Sequence, residues 1–286
     1  MVKVVAAKEA TSVLITGMGL VIASWQELAP GLMIGPYADE LDPKAVAPGC
    51  ETLHEYAAVL SMNPLATFAI EVTHPDKGKH LAAKAWNALW DFSLLALACQ
   101  TPCFSLYAQS TSSEDRNSFS VANRNLIIRP VGDPVSLRSD QLAWARERRD
   151  DFLTLIGDQR FSRSMRYYNN AHYLPDLDAR IMLLWAGIEG LFGVEAELSY
   201  RLAVYASLLL GGTEEERAKR LSEVRKSYSI RSRVVHGSAP SSDKLEHCYR
   251  STGHLLVALL AKCVELKRVP DAAELDKAAV SSSVES

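Results

Sequence analysis

The sequence is poor in the features that mark secreted and membrane proteins. Its N-terminus lacks an apolar run followed by a small-residue cleavage site, and no stretch reaches the roughly 18 apolar residues of a membrane-spanning helix. The hydrophobic share of 48% and the charged share of 23% are those of a globular protein. We therefore expect a cytoplasmic protein without a membrane partner.

Cysteine is scarce and shows no metal-binding pattern. The chain holds five cysteines, an odd number that does not suit a disulfide framework. Cys99 and Cys103 have three residues between them instead of the usual two, and the pair His247-Cys248 has no second pair to complete a zinc site. We predict no metal and no cofactor, with the cysteines as small core residues.

The third glycine of a dinucleotide-binding fingerprint is also missing. Gly17-Met18-Gly19 follows the apolar run Val13–Ile15, as a phosphate-binding loop would, but apolar residues continue where a helix should begin. Pro30-Gly31 then comes too soon for a complete crossover helix. We predict a strand with a glycine bulge here.

The remaining patterns predict an α+β fold in two domains. Residues 1–134 form a mixed α/β domain of unknown role, with sensing or regulation as an option, and Pro130-Val-Gly-Asp-Pro134 marks its end. Residues 135–269 contain only helical patterns, and residues 270–286 are predicted to be a disordered tail. In the first domain we expect strands near 13–23, 32–37, 66–73, 104–108 and 119–129, and helices near 52–62 and 79–97.

Several helices of the second domain have clear signals. The helix after Pro175 has its apolar residues on one face, which predicts a core helix; these residues are Ile181, Leu184, Trp185, Ile188, Leu191 and Phe192. A helix over 195–210 ends at Gly211, and Thr213 with Glu216 forms a capping box for a helix that runs toward His236. The last helix covers 244–266.

Charge is distributed unevenly along the chain. From Arg138 to Arg268 there are 21 basic and 17 acidic side chains, whereas the rest of the chain has 10 and 17. Seven of the basic side chains fall within residues 217–233, which is dense enough to line a polyanion. The alternative is a solvated helix face, since the glutamates of residues 214–223 allow i,i+4 pairing.

The segment Arg231-Ser-Arg-Val-Val-His-Gly237 contains a candidate catalytic pair. An arginine can stabilise a phosphorane and a histidine can move a proton at neutral pH, which suits RNA cleavage without a metal. The alternative is a basic helix end in which His236 favours the dipole. Spacing alone does not decide, because Arg166 and His172 have a similar separation; we interpret that second pair as surface residues.

Three ordered blocks give the segment a context. Leu183-Leu-Trp-Ala-Gly-Ile-Glu-Gly-Leu-Phe192, Glu197-Leu-Ser-Tyr-Arg-Leu-Ala203 and Ile230–Gly237 resemble the HEPN superfamily, and within it the ApeA-like HEPN group. The resemblance covers roughly residues 140–268. It implies an HEPN-type helical bundle that forms a homodimer through its helices and brings two Arg-to-His motifs to one cleft.

The resemblance also implies a function and the residues that perform it. Catalytic members are metal-independent endoribonucleases, many of them toxins or antiviral effectors. Carried over to this chain, Arg231 and His236 are the catalytic pair and Ser232 is the polar residue beside the arginine, where many nucleases have Asn, Asp or His. Arg225, Lys226 and Arg233 are then expected to bind RNA.

Helix geometry independently favours a site shared by two chains. Five residues along a helix correspond to a rotation of about 500° and a rise of about 7.5 Å, so Arg231 and His236 point about 140° apart. One regular helix cannot easily direct both at one phosphate. Either the helix opens near Gly237 or a second copy supplies the missing partner.

Three supporting residues keep two interpretations each. Glu189 and Arg201 could orient the site or pair inside the bundle, and pairing is favoured because buried charges usually have partners. Tyr228 lies one helical turn before Arg231 and could stack on a base, although a core tyrosine is the simpler interpretation.

Two functions follow from these patterns. The first is an endoribonuclease effector of antiphage defence or toxin type, with RNA, either tRNA or mRNA, as substrate. The second is a non-catalytic dimeric module that uses the same basic cleft to bind RNA or nucleotide.

Overall fold

The structure is a computed structural model that describes residues 4–7, 9–76, 79–111, 117–123, 125, 132–194, 198–237 and 240–282. Its fold is α+β, as the sequence predicts, with a six-stranded sheet in the N-terminal part and helices in the C-terminal part. The chain divides into two compact units, residues 1–149 and 150–286. The division therefore lies after Arg149 and not at the predicted residue 134. Residues 126–131 of the predicted boundary region lie outside the described residues.

The first unit is built on an antiparallel sheet. The strands are β1 (Ser12–Met18), β2 (Leu20–Val21), β3 (Gln26–Ala29), β4 (Leu32–Pro36), β5 (Phe68–Thr73), β6 (Phe104–Thr111), β7 (Asn117–Val121) and β8 (Val135–Ser136). Six of them form one sheet in the order β3-β4-β5-β1-β6-β7, and β2 pairs with β8 in a separate parallel ladder. The β-branched residues Ile15, Ile34 and Ile70 lie on neighbouring strands and are completely buried, so the centre of the sheet contributes to the core.

The glycine bulge predicted from the sequence is confirmed. The register of β1 against β6 shifts between Ile15 and Gly17. A Cβ atom at Gly17 would lie 2.4 Å from Cε1 of Phe92 and 2.6 Å from Cζ of Phe68, so only glycine fits under these rings. Gly17 thus serves packing.

The helices of the first unit are α1 (Pro43–Val46), α2 (Leu53–Met62) and α3 (Lys79–Cys99), and the described chain continues with α4 (Ser139–Leu155). Thr52 caps α2 by accepting a hydrogen bond from the Glu55 amide at 3.1 Å. Leu81, Ala85, Phe92 and Leu95 of α3 are buried, whereas Trp86 is exposed, and the helix also buries the carboxylate of Asp91. Arg149 on α4 satisfies this carboxylate with two hydrogen bonds.

The second unit is helical. Its elements after α4 are α5 (Gln159–Ala171), α6 (Leu177–Phe192), α7 (Leu198–Leu210), α8 (Glu214–Val235), α9 (Ser242–Leu266) and α10 (Ala272–Ser282). All six predicted core residues of α6 are buried. At Gly187 a Cβ atom would approach Leu256 of α9 to 2.8 Å, and the carbonyl oxygen of Gly187 accepts a hydrogen bond from Ser164 of α5 at 2.8 Å. Close packing therefore places α6 between α5 and α9.

The helix-end signals are also present. The side chain of Thr213 and the carboxylate of Glu216 form the predicted capping box at the start of α8. Gly193 ends α6 in the left-handed conformation with φ of 65°. These local signals fix where α6 ends and where α8 begins.

The predicted disordered tail is wrong over residues 272–282, which form α10. Leu275 is buried, and Asp276 accepts hydrogen bonds from Arg201 at 2.9 Å and Tyr205 at 2.6 Å. Polar composition favours disorder when a segment has no partner, but here α7 provides one. Residues 283–286 of the predicted tail lie outside the described residues.

The interpretation of His172 as a surface residue is also wrong. Its exposed fraction is only 5%, and its Nδ1 lies 2.6 Å from the Tyr249 hydroxyl of α9. Burial, with a smaller effect of the Arg180 charge, lowers the pKa of His172 to about 3, so the imidazole is neutral. Arg166, in contrast, is exposed as expected.

Candidate nucleic-acid interface

Helix α8 carries the candidate site and is attached to the bundle by few side chains. Only Val224, Ser227 and Tyr228 are buried among its 22 residues. Ser227 fastens it to α9, because its hydroxyl lies 2.9 Å from that of Thr252 and 3.3 Å from Sγ of Cys248. Ser227 therefore fixes α8 to α9 shortly before the segment that contains Arg231 and His236.

Arg231 lies one turn beyond Ser227 and faces α6. Its Nη2 is 3.2 Å from Oε1 of Glu189 and donates a hydrogen bond to Oε2 at 3.4 Å. The guanidinium also lies over the Tyr228 ring, 5.4 Å from its centroid, which is a cation–π arrangement. Trp185 meets the same tyrosine edge-to-face at 5.0 Å. Two residues of α6 and two of α8 thus make one cluster.

Hydrogen bonding in this cluster is incomplete. Trp185 is completely buried, yet its Nε1 makes no hydrogen bond to any described residue. The same holds for Nε of Arg231 and for Oε1 of Glu189, which lies at ion-pair distance from Arg231 without hydrogen-bond geometry. Buried polar atoms in folded proteins are rarely left in this state, and such exceptions occur where water or a ligand can bind.

Burial dominates the electrostatics of the cluster. It raises the pKa of Glu189, and the nearby Arg231 charge and Tyr228 hydroxyl oppose this without reversing it. Burial also raises the pKa of Tyr228, with the Glu189 charge acting in the same direction. Burial therefore outweighs the two interactions that favour the charged form of this carboxylate.

His236 lies at the end of α8, in a different environment from Arg231. The helix remains α-helical up to Val235, and the His236 amide still donates to the carbonyl oxygens of Ser232 and Val234. The imidazole is exposed, and Gly237 follows with φ of 76°. No described hydrogen bond or ion pair joins Arg231 to His236, as expected for side chains about 140° apart on a regular helix. Ser232 is half-buried beside Arg231.

The predicted RNA-binding side chains lie on the open side of α8. Arg225, Lys226 and Arg233 are all exposed, and none pairs with an acidic side chain in the described part of the chain. The basic segment is not uniform, however, because Arg220 donates to the carbonyl oxygen of Gly211 at 2.8 Å and so serves the end of α7. The positive surface is therefore the second half of α8.

Two supporting residues prove to be separate from each other. Glu189 joins Arg231, whereas Arg201 bonds to Tyr205 and to Asp276 of α10. Pairing was the favoured interpretation for both, and the structure has both paired. Tyr228 is buried and covered by Arg231, which fits a core tyrosine and leaves no free ring face there for a base.

The sequence analysis predicted Trp185 only as a core residue and missed its contact with Tyr228 in the cluster around Arg231. The signal was present, because Trp185 and Glu189 are four residues apart and so share one face of α6.

Among the described residues, no three His, Cys, Asp or Glu side chains are grouped as metal ligands would be. Nor does any described helix combine the length and apolar character that crossing a membrane requires.

The chain matches no protein-family model, no curated protein and no solved structure. What the helical unit does must therefore be inferred from its own side chains.

Proposed function

We propose that this protein is a metal-independent endoribonuclease whose active site forms between two copies of the helical unit. The observation that carries the proposal is the arrangement on α8: a half-buried arginine held over an aromatic ring, and an exposed histidine at the helix end. The unpaired basic side chains nearby suit a polyanionic substrate. The HEPN resemblance supplies the type of reaction.

Each group would have a defined part in the reaction. His236 takes the proton from a ribose 2′-hydroxyl, and the 2′-oxygen forms a bond to phosphorus. Arg231 stabilises the negative charge of the phosphorane. The bond from phosphorus to the 5′-oxygen then breaks, and the leaving oxygen receives the proton that His236 has taken up. The products are a 2′,3′-cyclic phosphate and a 5′-hydroxyl.

The biological class that fits this activity is an effector of antiphage defence or of a toxin system, acting on tRNA or mRNA in the cytoplasm. The first unit would then sense a trigger or regulate the second. These assignments rest on the resemblance.

A non-catalytic dimeric module that binds RNA or nucleotide is the second candidate. The pairing of Arg231 with Glu189 favours it, because a neutralised arginine is less able to stabilise a transition state. Binding without cleavage would still use the exposed basic side chains of α8.

Incubation of the purified protein with total cellular RNA in EDTA separates the two candidates. The endoribonuclease proposal predicts fragments with cyclic phosphate ends, and their loss in Arg231→Ala. Arg180→Ala is the matched control, because Arg180 also lies over a tyrosine, 5.3 Å from the Tyr249 centroid. Intact RNA with the wild-type protein, or cleavage by Arg231→Ala at the wild-type rate, would contradict the proposal. Binding of RNA without cleavage would favour the module.

A further inference from the structure

The chain contains two partly buried arginine–carboxylate pairs with different geometry. Arg149 grips Asp91 as a fork, with Nε donating to Oδ1 at 2.7 Å and Nη2 to Oδ2 at 3.1 Å. Arg231 approaches both oxygens of Glu189 with Nη2 alone, at 3.2 and 3.4 Å. Charge-assisted bonds are normally about 2.7–2.9 Å, and forked pairs are the strong ones. The second pair is therefore loose.

The loose pair leaves part of the guanidinium unused. Nε of Arg231 has no hydrogen-bond acceptor among the described residues, although Nε and Nη2 together form the edge that grips anions in a fork. A phosphate diester offers two oxygens to such an edge. The side chains of Arg231 and Glu189 are 24% and 20% exposed, so solvent reaches part of the pair, whereas Nε of Arg231 is buried in the free protein.

Glu189 itself is poorly placed to remain charged. It lies among Trp185 on its own helix and Tyr228 and Arg231 on α8, and the last two are the titratable groups that act on it. Burial has already raised the pKa of its carboxyl group. Loss of its one cationic partner would raise that pKa further, and the carboxylate would take up a proton instead of remaining buried and unpaired.

We propose that Glu189 is a displaceable counter-ion that holds Arg231 in the free protein and yields it to an RNA phosphate. This inference rests on the proposed function, because it requires RNA to bind at Arg231. The Tyr228 ring keeps the guanidinium in position throughout, and Trp185 contacts this ring edge-to-face. Glu189 is thus a positioning residue that competes with the substrate.

A binding measurement with an uncleavable probe tests the exchange. The probe is a fluorescent, fully 2′-O-methylated oligoribonucleotide, which retains its phosphates and lacks the attacking hydroxyl. Glu189→Gln is expected to bind it about threefold to fivefold more tightly than wild type, the scale of one half-exposed ion pair. Arg231→Ala is expected to bind the probe more weakly than wild type. The double variant Arg231→Ala/Glu189→Gln should bind as weakly as Arg231→Ala, because Glu189 competes with the probe only through Arg231.

The pH dependence supplies a readout that a purely structural role would not change. Wild-type affinity should increase more steeply on acidification than that of Glu189→Gln, since only the wild type takes up a proton at residue 189. Glu246→Gln is the control, because it removes a carboxylate that pairs with Arg250 on the exposed face of α9; its affinity and pH profile should match the wild type.

Each result has one consequence. If Arg231→Ala weakens binding while Glu189→Gln binds no more tightly than wild type, the exchange is wrong and RNA binding at Arg231 stands. If Arg231→Ala binds as tightly as wild type, or the wild type does not bind at all, both the exchange and the proposed site are wrong. Unchanged circular dichroism and melting temperature of Glu189→Gln show that the comparison reports binding and not folding.

Discussion

A buried carboxylate of the sheet unit and the Arg231 cluster of the helical unit are hydrogen-bonded differently. In the sheet unit, Asp91 is fully enclosed and bound in a fork by Arg149, and the hydroxyl groups of Tyr37 and Tyr107 lie 2.7 Å apart. On α8 of the helical unit, the Arg231 pair is long, uses one nitrogen and leaves neighbouring polar atoms without hydrogen bonds. Satisfied polar groups stabilise a fold, whereas unsatisfied ones at a half-exposed position are available to a ligand. The two pairs therefore lead to different expectations: loss of the Asp91 pair should destabilise the fold, whereas loss of the Arg231 pair should affect the proposed binding of RNA.

Removal of the exposed histidine should have the largest effect. His236→Ala is expected to reduce RNA cleavage about 100-fold to 10,000-fold, the usual contribution of a general acid or base. His254→Ala is the control, because His254 is another exposed histidine of the same unit. Initial cleavage rates in EDTA measure the effect. Both proteins should unfold at the same temperature, and equal cleavage by the two would exclude His236 from the chemistry.

The forked pair of the first unit should instead control stability. Asp91→Ala leaves Arg149 without its partner next to an empty buried space, and about 3–5 kcal/mol of unfolding free energy should be lost. Urea denaturation followed by tryptophan fluorescence measures this change. A loss below about 1 kcal/mol would show that the pair behaves like a surface ion pair and that the contrast with Arg231 is unfounded.

His172 should make the stability of the second unit dependent on pH. Its pKa is lowered to about 3 in the folded protein, whereas that of a histidine in the unfolded chain is near 6.5. Between these values the unfolded state binds more protons, so stability must fall as the pH falls from about 6.5, by at most about 1.4 kcal/mol per unit. Denaturation at pH 7 and pH 5 measures the slope, and His172→Asn should flatten it. If His172→Asn and the wild type lose stability equally between pH 7 and pH 5, the pKa of His172 is not lowered in the folded protein.

A smaller effect is expected where α10 contacts the bundle. Leu275→Ala removes the buried apolar side chain of this helix, at a cost of about 1–2 kcal/mol, since a terminal helix adjusts more easily than a central one. Hydrogen exchange of residues 272–282 should become faster while that of α6 stays slow. Equal hydrogen-exchange rates of residues 272–282 in the wild type and Leu275→Ala would show that Leu275 does not hold α10 in place.

Local patterns predicted much of this molecule. The apolar face of α6, the capping box at Thr213 and the glycine bulge at Gly17 depend on residues near one another in the sequence or on one steric requirement. The sequence likewise identified Arg231 and His236 as a pair within one short segment. Helix geometry also predicted that their side chains point about 140° apart.

Contacts between distant residues could not be predicted in the same way. His172 is buried because Tyr249, 77 positions later, bonds to it, and α10 is ordered because Asp276 meets Arg201, 75 positions earlier. The position of His172 outside the three ordered blocks suggested a surface residue, and the polar composition of residues 270–286 predicted a disordered tail. The loose geometry of Arg231 and Glu189 likewise depends on how α6 and α8 pack. The spacing of residues in the sequence cannot predict that Arg231 contacts Glu189 through Nη2 alone.

Complementation between two inactive variants tests the shared site most directly. Chains with Arg231→Ala and chains with His236→Ala are co-expressed with different tags, and the mixed dimers are assayed on RNA in EDTA. A site that takes its arginine from one copy and its histidine from the other is restored once in each mixed dimer, so these should recover about half of the wild-type rate, since a dimer has two symmetric sites. Mixed dimers that are as inactive as either variant alone, beside an active wild type, would contradict a site shared between two copies.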